Sequence, residues 1–310
     1  MGGRLFEHGH EVVLVARGEH AHALATRGLT VASATGVVTL PVPTIELLDQ
    51  LDWRGDEVVL LSVKSQDTED ALRQLADTAP AATPVACLQN GVANEAAALR
   101  RFADVYGICV MCPAASMEPG VVVAESSPVT ALLDIGRYPD GADATAEAIA
   151  AAFSGSTIES VVRPDIMRWK YAKLLRNLAN AVDALCGPGG RSSQVTELAR
   201  KEGETCLAAA SIAYASDEED RARRGNRLHP TEVVGHDRGG SSTWQSLARS
   251  TGSVEVDYLN GEIVLLGRLH GVPTPANELL QRLTNEKAKA HSEPGGMRPE
   301  ELLSLLARTA

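Results

Sequence analysis

GGRLFEHGHEVVLVARG, residues 2–18, decides the fold. Two adjacent glycines lead into an amphipathic helical stretch, Gly9 ends it, and EVVLVAR (11–17) follows as a near-continuous apolar run of the kind that makes a buried strand. A dinucleotide-binding unit opens with a strand, a G-x-G-x-x-G turn and a helix whose N-terminus takes the pyrophosphate. Residues 2–18 read as the end of that fingerprint. The strand and first two glycines that should precede them are not in the sequence. A segment of roughly ten residues ahead of Met1 would supply them.

Outward from this stretch the first half alternates strands and helices. LTVAS and VVTLPV are short β-rich pieces, and EVVLLSVK (57–64) is a second buried-type strand. Thr68–Ala79 has helical spacing with Leu72, Leu75 and Ala76 on one face, PVACLQNG (84–91) is a strand ending in a polar turn, and Asn94 is placed to cap NEAAALRRF. YGICVMC, GVVVAES and VTALLDIG follow as strands, then a helix at 142–154 and a strand at 156–162. Apolar strands separated by helices predict a mostly parallel sheet covered on both faces. After Arg163-Pro164 the pattern turns almost wholly helical. DIMRWKYAKLLRNLANAVDALCG (165–187) reads as one long helix stopped at Gly187-Pro188-Gly189-Gly190, and another helix follows to about residue 215. DEEDRARRGNRLHP (217–230) reads as a charged surface hinge, and VEVDYLNGEIVLLGRLHG (254–271) as an amphipathic helix. The domain boundary falls at residue 163, giving units 1–163 and 164–310, in keeping with ~150 residues per domain.

The 310 residues are 44% hydrophobic, enough for sizeable cores, and carry 29 basic against 40 acidic side chains. A net charge of −11 argues against a nucleic-acid partner. No run of 18 uncharged apolar residues predicts a membrane span, and the N-terminus lacks the basic-then-apolar pattern of a secretory signal. Five cysteines are too few and odd in number for a disulfide framework, which fits a reducing, cytoplasmic setting. Cys109 and Cys112 form a C-x-x-C, but inside an apolar strand pattern rather than at a polar helix start, so the structural reading outweighs the redox one. His8 and His10 have no third ligand nearby in sequence, and no metal site is expected.

The tip of EVVLVAR selects the cofactor. An acidic residue after this strand bonds the ribose 2′-hydroxyl of NAD, whereas an arginine accommodates the 2′-phosphate of NADP. Ala16-Arg17-Gly18 favours NADP, with Glu19 close enough to compete and a solvated surface charge as the plain alternative for Arg17.

These pieces, in order, resemble the ketopantoate reductase (2-dehydropantoate 2-reductase) family over nearly the whole chain: GHEVVLVARG, SVKSQDTEDAL, LQNGVANE, WKYAKLLRN, VEVDYLNG and HGVPTPANELL. The resemblance implies an α/β fold, a Rossmann-like N-terminal domain followed by an all-helical C-terminal domain. It implies that Gly2 is the last glycine of the phosphate loop, that Arg17 meets the 2′-phosphate, that Lys64 lies by the cofactor and that Asn90 sits near nicotinamide and substrate. Lys173 becomes the catalytic lysine, Asn177 and Ser242 hold substrate polar groups, with Asn180 on the same helix as a further substrate-binding candidate, and Glu255 completes the site. Where the family carries a second asparagine, eight residues after the lysine, this chain has Ala181, with Asn180 one residue early. Ser241 caps a helix as well as Ser242 does, and Asp257 competes with Glu255 as a helix-start acid.

The chemistry suits these residue types. Reducing a ketone leaves a developing alkoxide that needs a positioned proton donor and a stabilising charge, and a lysine ammonium supplies both. At ~100° per residue Asn177 lies about 40° round the helix from Lys173, and Asn180 about 20° to the other side, so an unbroken helix puts all three on one face. The implied reaction is NADPH-dependent reduction of a 2-keto acid, 2-dehydropantoate first, in the route to pantothenate and coenzyme A. A related dehydrogenase acting on another keto acid, and a catalytically silent binding protein that lacks the full phosphate loop, are the competing readings. The amphipathic helices of the second half also offer a face that a homodimer could bury.

Overall fold

The computed structural model describes residues 1–236 and 239–308, which form two compact units. The first comprises Met1–Gln89, Ala93–Met167 and Glu218–Arg238, and the second Asn90–Val92, Arg168–Asp217 and Gly239–Ala310. Each is thus assembled from separate stretches of chain.

The first unit contains α1 (Gly2–Glu7), β1 (Leu14–Val15), α2 (Gly18–Arg27), β2 (Leu29–Ser33), β3 (Gly36–Leu40), β4 (Thr44–Ile45) and β5 (Val59–Leu61). It continues with α3 (Thr68–Thr78), β6 (Val85–Cys87), α4 (Asn94–Leu99), β7 (Val105–Met111), β8 (Ala114–Ala115), β9 (Val121–Ala124), β10 (Ala131–Arg137), α5 (Ala144–Ser154) and β11 (Ile158–Glu159). The main sheet runs β11-β10-β7-β6-β5, parallel except where β10 meets β7. Strand alternation sends Ala86, Tyr106 and Ile108 to the face covered by Leu5 of α1 and by Ala146, Ile149 and Phe153 of α5. Val85, Cys87 and Val105 point the other way, onto Leu72 and Leu75 of α3 and Ala98 of α4. β3-β2-β9-β8 make a second sheet.

The structure corrects the reading of EVVLVAR. Only Leu14–Val15 are strand, and Val13 and Val15 remain 42% and 52% exposed. The physical reason is pairing: β1 pairs with β4, β5 pairs with β6, and among the described residues no strand lies between β1 and β5 to join them. A strand with one bonded edge has less to hold it extended, so the apolar run stays half open.

The charged stretch after residue 216 also differs from expectation. It forms α9 (Asp217–Arg224), with α6 (Ile166–Asn177), α7 (Ala179–Cys186) and α8 (Gln194–Ala209) ahead of it in the chain. Most of it is exposed, as expected of a surface segment, but it is no free hinge: residues 218–236 strap onto the first unit. Thr231 N donates to Glu125 O, Ser126 bridges Pro230, and the Arg223 guanidinium is buried against Asp134 in the middle of β10. Asp143 caps α5 by accepting from Ala146 N, while Arg137 and Tyr106 donate to its other oxygen. Burial pushes this carboxyl up, but those three donors outweigh it and hold the pKa below the usual aspartate range.

The second unit is all helical. To α6–α8 it adds α10 (Ser242–Ala248), α11 (Asn260–His270), α12 (Pro275–Lys289) and α13 (Pro299–Ala307). α8 crosses the end of α6 closely at Gly203, where a Cβ would lie 2.6 Å from Leu175 Cδ2. The long helix expected over 165–187 is in fact two, interrupted at Leu178. VEVDYLNG likewise splits into a short 3-10 turn, Glu255–Tyr258, and α11.

Candidate active site

In the first unit, the start of α1 sits hard against the strands beneath it. A Cβ on Gly2 would come 2.8 Å from Leu14 Cδ2, and one on Gly3 would come 2.7 Å from Leu29 Cδ2. A side chain at either position would have to displace those leucine methyls. Close helix–strand packing of this kind is what the last glycine of a dinucleotide fingerprint provides. Arg17 is exposed at the N-cap of α2 and, with Glu46, Leu47, Gln50 and Gln74, lines a cavity of about 600 Å³. Gln50 Oε1 accepts from the backbone N–H groups of Glu46 and Leu47, fixing that wall. A guanidinium at the rim is suited to paired hydrogen bonds with a phosphate.

Lys64 follows β5 and precedes the turn Ser65–Asp67. Behind it runs a buried chain of polar groups that the sequence reading did not assign. Gln89 Nε2 donates to Val63 O and to Thr68 Oγ1, both at 2.8 Å. Thr68 Oγ1 donates to Asn94 Oδ1 at 2.8 Å, and Asn94 Nδ2 to Ser65 Oγ at 3.3 Å. The network ties the ends of β5 and β6 to the starts of α3 and α4. Asn94 is therefore not the helix cap expected of it: Ala93 holds that position, and the Asn94 side chain turns inward. The available signal was the polar pair that follows each apolar strand, Ser65 with Thr68 and Gln89 with Asn94.

The turn Asn90–Val92 belongs to the second unit. Gly91 takes φ = 78°, a region that disfavours side chains, so the chain reverses directly after Asn90. Lys173 Nζ of α6 donates to Asn90 Oδ1 at 2.8 Å, and Asn177 Nδ2, one turn on, donates to the same oxygen at 3.4 Å. Two donors on one carbonyl oxygen fix the amide of Asn90 and set the direction of the ammonium. Lys173 and Asn177 are half-buried, and Lys170, one turn earlier, is buried.

Asn180 does not share the Asn90 bonds. Beyond the interruption at Leu178, whose backbone keeps helical φ and ψ, it pairs with Arg191, whose Nη1 donates to Asn180 Oδ1 at 3.3 Å and lies 3.8 Å from the buried Asp183. Ser241 joins that second cluster: its N–H donates to Asp183 Oδ2 at 2.7 Å and its hydroxyl to Asn180 O at 3.3 Å, while Oγ also accepts from Trp244 N. Ser241 is thus the cap of α10, and Ser242 is the first residue of that helix, its carbonyl accepting from Ser246 Oγ. Arg191 and Asp183 were missed because nothing in their local spacing sets them apart. Glu255 is buried, 6% exposed, at the head of the 3-10 turn before α11.

Two family models cover most of the chain. Ketopantoate reductase PanE/ApbA matches residues 1–137, and its C-terminal counterpart matches residues 165–288. The chain belongs to the ketopantoate reductase family. This ketopantoate reductase family member is therefore an oxidoreductase of a nicotinamide-dependent, keto-acid-reducing class. It is 28% identical over 294 residues to the 2-dehydropantoate 2-reductase of Pyrococcus horikoshii, covering 93% of each chain. It is 29% identical over 279 residues to that of Halobacterium salinarum, covering 86% of each. Among solved structures, a PanE/ApbA family ketopantoate reductase from Ralstonia eutropha superposes with a TM-score of 0.74 at 27% identity over 94% of each chain. A D-mandelate dehydrogenase solved with NADH and anilino(oxo)acetate shares the fold, with a TM-score of 0.75 at 23% identity over 94% of each chain. Among the described residues no group of three His, Cys, Asp or Glu side chains is placed to hold a metal ion, and no helix is long and apolar enough to cross a membrane.

Proposed function

We propose that the protein reduces a 2-keto acid, 2-dehydropantoate first, to the 2-hydroxy acid with NADPH. The observation that carries this reading is the Lys173–Asn90 bond at 2.8 Å with Asn177 on the same oxygen, in a chain of this family. Residues 1–163 bind the cofactor and 164–310 handle the substrate, the strap 218–236 serving to complete the first unit. Gly2 and Gly3, packed close against the Leu14 and Leu29 side chains, and Arg17 at the rim of its cavity suit a phosphorylated dinucleotide. In this reading Gly2, Arg17, Lys64 and Asn90 hold NADPH, which supplies the hydride when bound.

The Lys173 ammonium gives the proton that the carbonyl oxygen takes up and offsets the negative charge developing there. Asn90 keeps Nζ pointed, Asn177 binds a polar group of the keto acid, and Glu255 orients the hydroxyl that forms. Asn180 and Ser242, or its neighbour Ser241, complete the substrate contacts. Purified protein should consume NADPH with 2-dehydropantoate faster than with pyruvate, 2-oxoisovalerate or phenylglyoxylate. Turnover of none of these would end the assignment, and a clear preference for another would move it to that keto acid.

Cofactor choice has its own test. Arg17→Ala should weaken NADPH roughly 10- to 100-fold, the worth of a charged hydrogen-bond pair, and leave NADH nearly unchanged. Isothermal titration with both cofactors measures this, and equal losses would remove Arg17 from the 2′-phosphate.

A further inference from the structure

Away from the Lys173 group, the second unit buries a run of polar side chains that joins four helices. Asn260, the first residue of α11, is 1% exposed. Its Nδ2 donates to Leu178 O at 3.3 Å and to Asn277 Oδ1 at 3.0 Å. Asn277 of α12 in turn donates from Nδ2 to Ala199 O at 2.9 Å and to Glu202 Oε2 at 2.8 Å. Glu202 of α8 also accepts from the N–H groups of Ala276 and Asn277 at the start of α12. The direction of every bond is fixed. Leu178 O and Ala199 O are backbone carbonyls and can only accept, so both asparagine amides must present their NH2 ends to them.

Among the described residues one atom in this run has no hydrogen-bond partner: the buried Asn260 Oδ1. An unsatisfied buried amide oxygen lowers stability, so what keeps an amide here is the pair of bonds its Nδ2 makes, to Leu178 O and Asn277 Oδ1. Packing alone therefore does not account for an amide here. Its Nδ2 acts on Leu178, the residue at which α6 stops and α7 starts, immediately after Asn177. On the near side of that break Asn177 and Lys173 reach Asn90, and on the far side Asn180 turns to Arg191.

We propose that Asn260 is a positioning residue: by holding the Leu178 carbonyl it clamps the α6–α7 break and so sets where Asn177 and Lys173 point. Asn277 and Glu202 anchor Asn260 from behind. The proposal rests on the reading of Lys173 as the proton donor, and the experiment separates the two.

Asn260→Leu keeps the branching and the number of side-chain heavy atoms, removes the donor and the orphaned oxygen, and leaves Asn277 Oδ1 without its donor. Its kcat for the keto acid should fall at least tenfold, with the NADPH dissociation constant within twofold of wild type and a melting temperature no lower than wild type by more than a few degrees. A loss of packing alone would weaken cofactor binding and melting together and would not single out kcat. Asn260→Asp, the same size but presenting an acceptor to two acceptors, should lose kcat as well and serves if the leucine variant does not fold. A folded variant with kcat within twofold of wild type overturns the proposal. A crystal structure of that variant gives a readout independent of turnover. It should show α6 and α7 rejoined or the Lys173–Asn90 bond lengthened beyond hydrogen-bond range. An unchanged break with that bond intact overturns the proposal even if Lys173 proves not to be the proton donor. If Lys173→Ala retains full turnover while Asn260→Leu shows the structural change, only the reading of Lys173 fails.

Discussion

Replacing Lys173 with alanine should lower kcat by about 10²- to 10⁴-fold while leaving NADPH affinity within twofold. The loss has one source. Lys173 Nζ is the donor held by Asn90 at 2.8 Å, and alanine removes the proton and the positive charge together. Asn177 still donates to Asn90 Oδ1, so the turn at Asn90–Val92 keeps one of its two ties and the fold should persist. Lys173→Arg should rescue little, because a guanidinium with a pKa above ~12 holds its proton too tightly to pass it on. Steady-state kinetics with fluorescence titration of NADPH would measure both quantities. Full turnover in Lys173→Ala would shift attention to the buried Lys170, one turn earlier.

The largest effect on stability should come from Asp134→Ala. Asp134, 1% exposed, accepts from Arg223 Nη2 at 2.7 Å, from Arg223 Nε at 2.9 Å, from Arg163 Nε at 3.1 Å and from Val161 N at 3.2 Å. Burial works to lower the pKa of Arg223, but the carboxylates of Asp134 and Glu159 outweigh it and raise the net value. Removing Asp134 leaves a guanidinium that is only 7% exposed without its main counter-charge. Breaking a buried pair from one side costs about 3–5 kcal/mol, equivalent to a fall in melting temperature of roughly 10 °C. Replacing both partners by apolar residues, Asp134→Leu with Arg223→Met, should recover part of that loss, the Arg163 and Val161 donors staying without their acceptor. Urea denaturation of the three proteins tests this, and a single-variant loss below about 1 kcal/mol would mean that Glu159 suffices as a counter-charge.

Much of this was legible locally. The paired glycines before an amphipathic stretch announced a helix packed hard on strands, and the Cβ distances at Gly2 and Gly3 give the reason. Helical spacing put Lys173 and Asn177 on one face, where they do share Asn90. What escaped the sequence came from residues far apart in the chain. Asn180 pairs with Arg191 rather than with Asn90, and the Leu178 carbonyl between Asn177 and Asn180 is taken by a side chain 82 residues away. The stretch after residue 216 read as solvated because its charges outnumber its apolar groups. The partner that buries Arg223 lies 89 residues earlier, in the middle of a strand. Capping preferences admitted Ser241 and Ser242 alike, and only the approach of Asp183 distinguishes them. The apolar run 11–17 promised a full strand because composition reports what a segment prefers, while pairing on both edges decides how much of it becomes strand.

The strap over residues 218–236 bears on how the chain is made. Domains generally fold as units during synthesis, N-terminal first. Here the first unit is unfinished when residue 163 leaves the ribosome, because Arg223, the more buried of the two arginines on Asp134, has yet to be translated. The nascent chain must hold that buried carboxylate with Arg163 and the Val161 N–H alone, or keep β10 open, while some sixty further residues are added at about 5–20 per second. A gene fragment ending at residue 163 would encode that interrupted intermediate, and a stable cofactor-binding fragment needs the strap supplied with it.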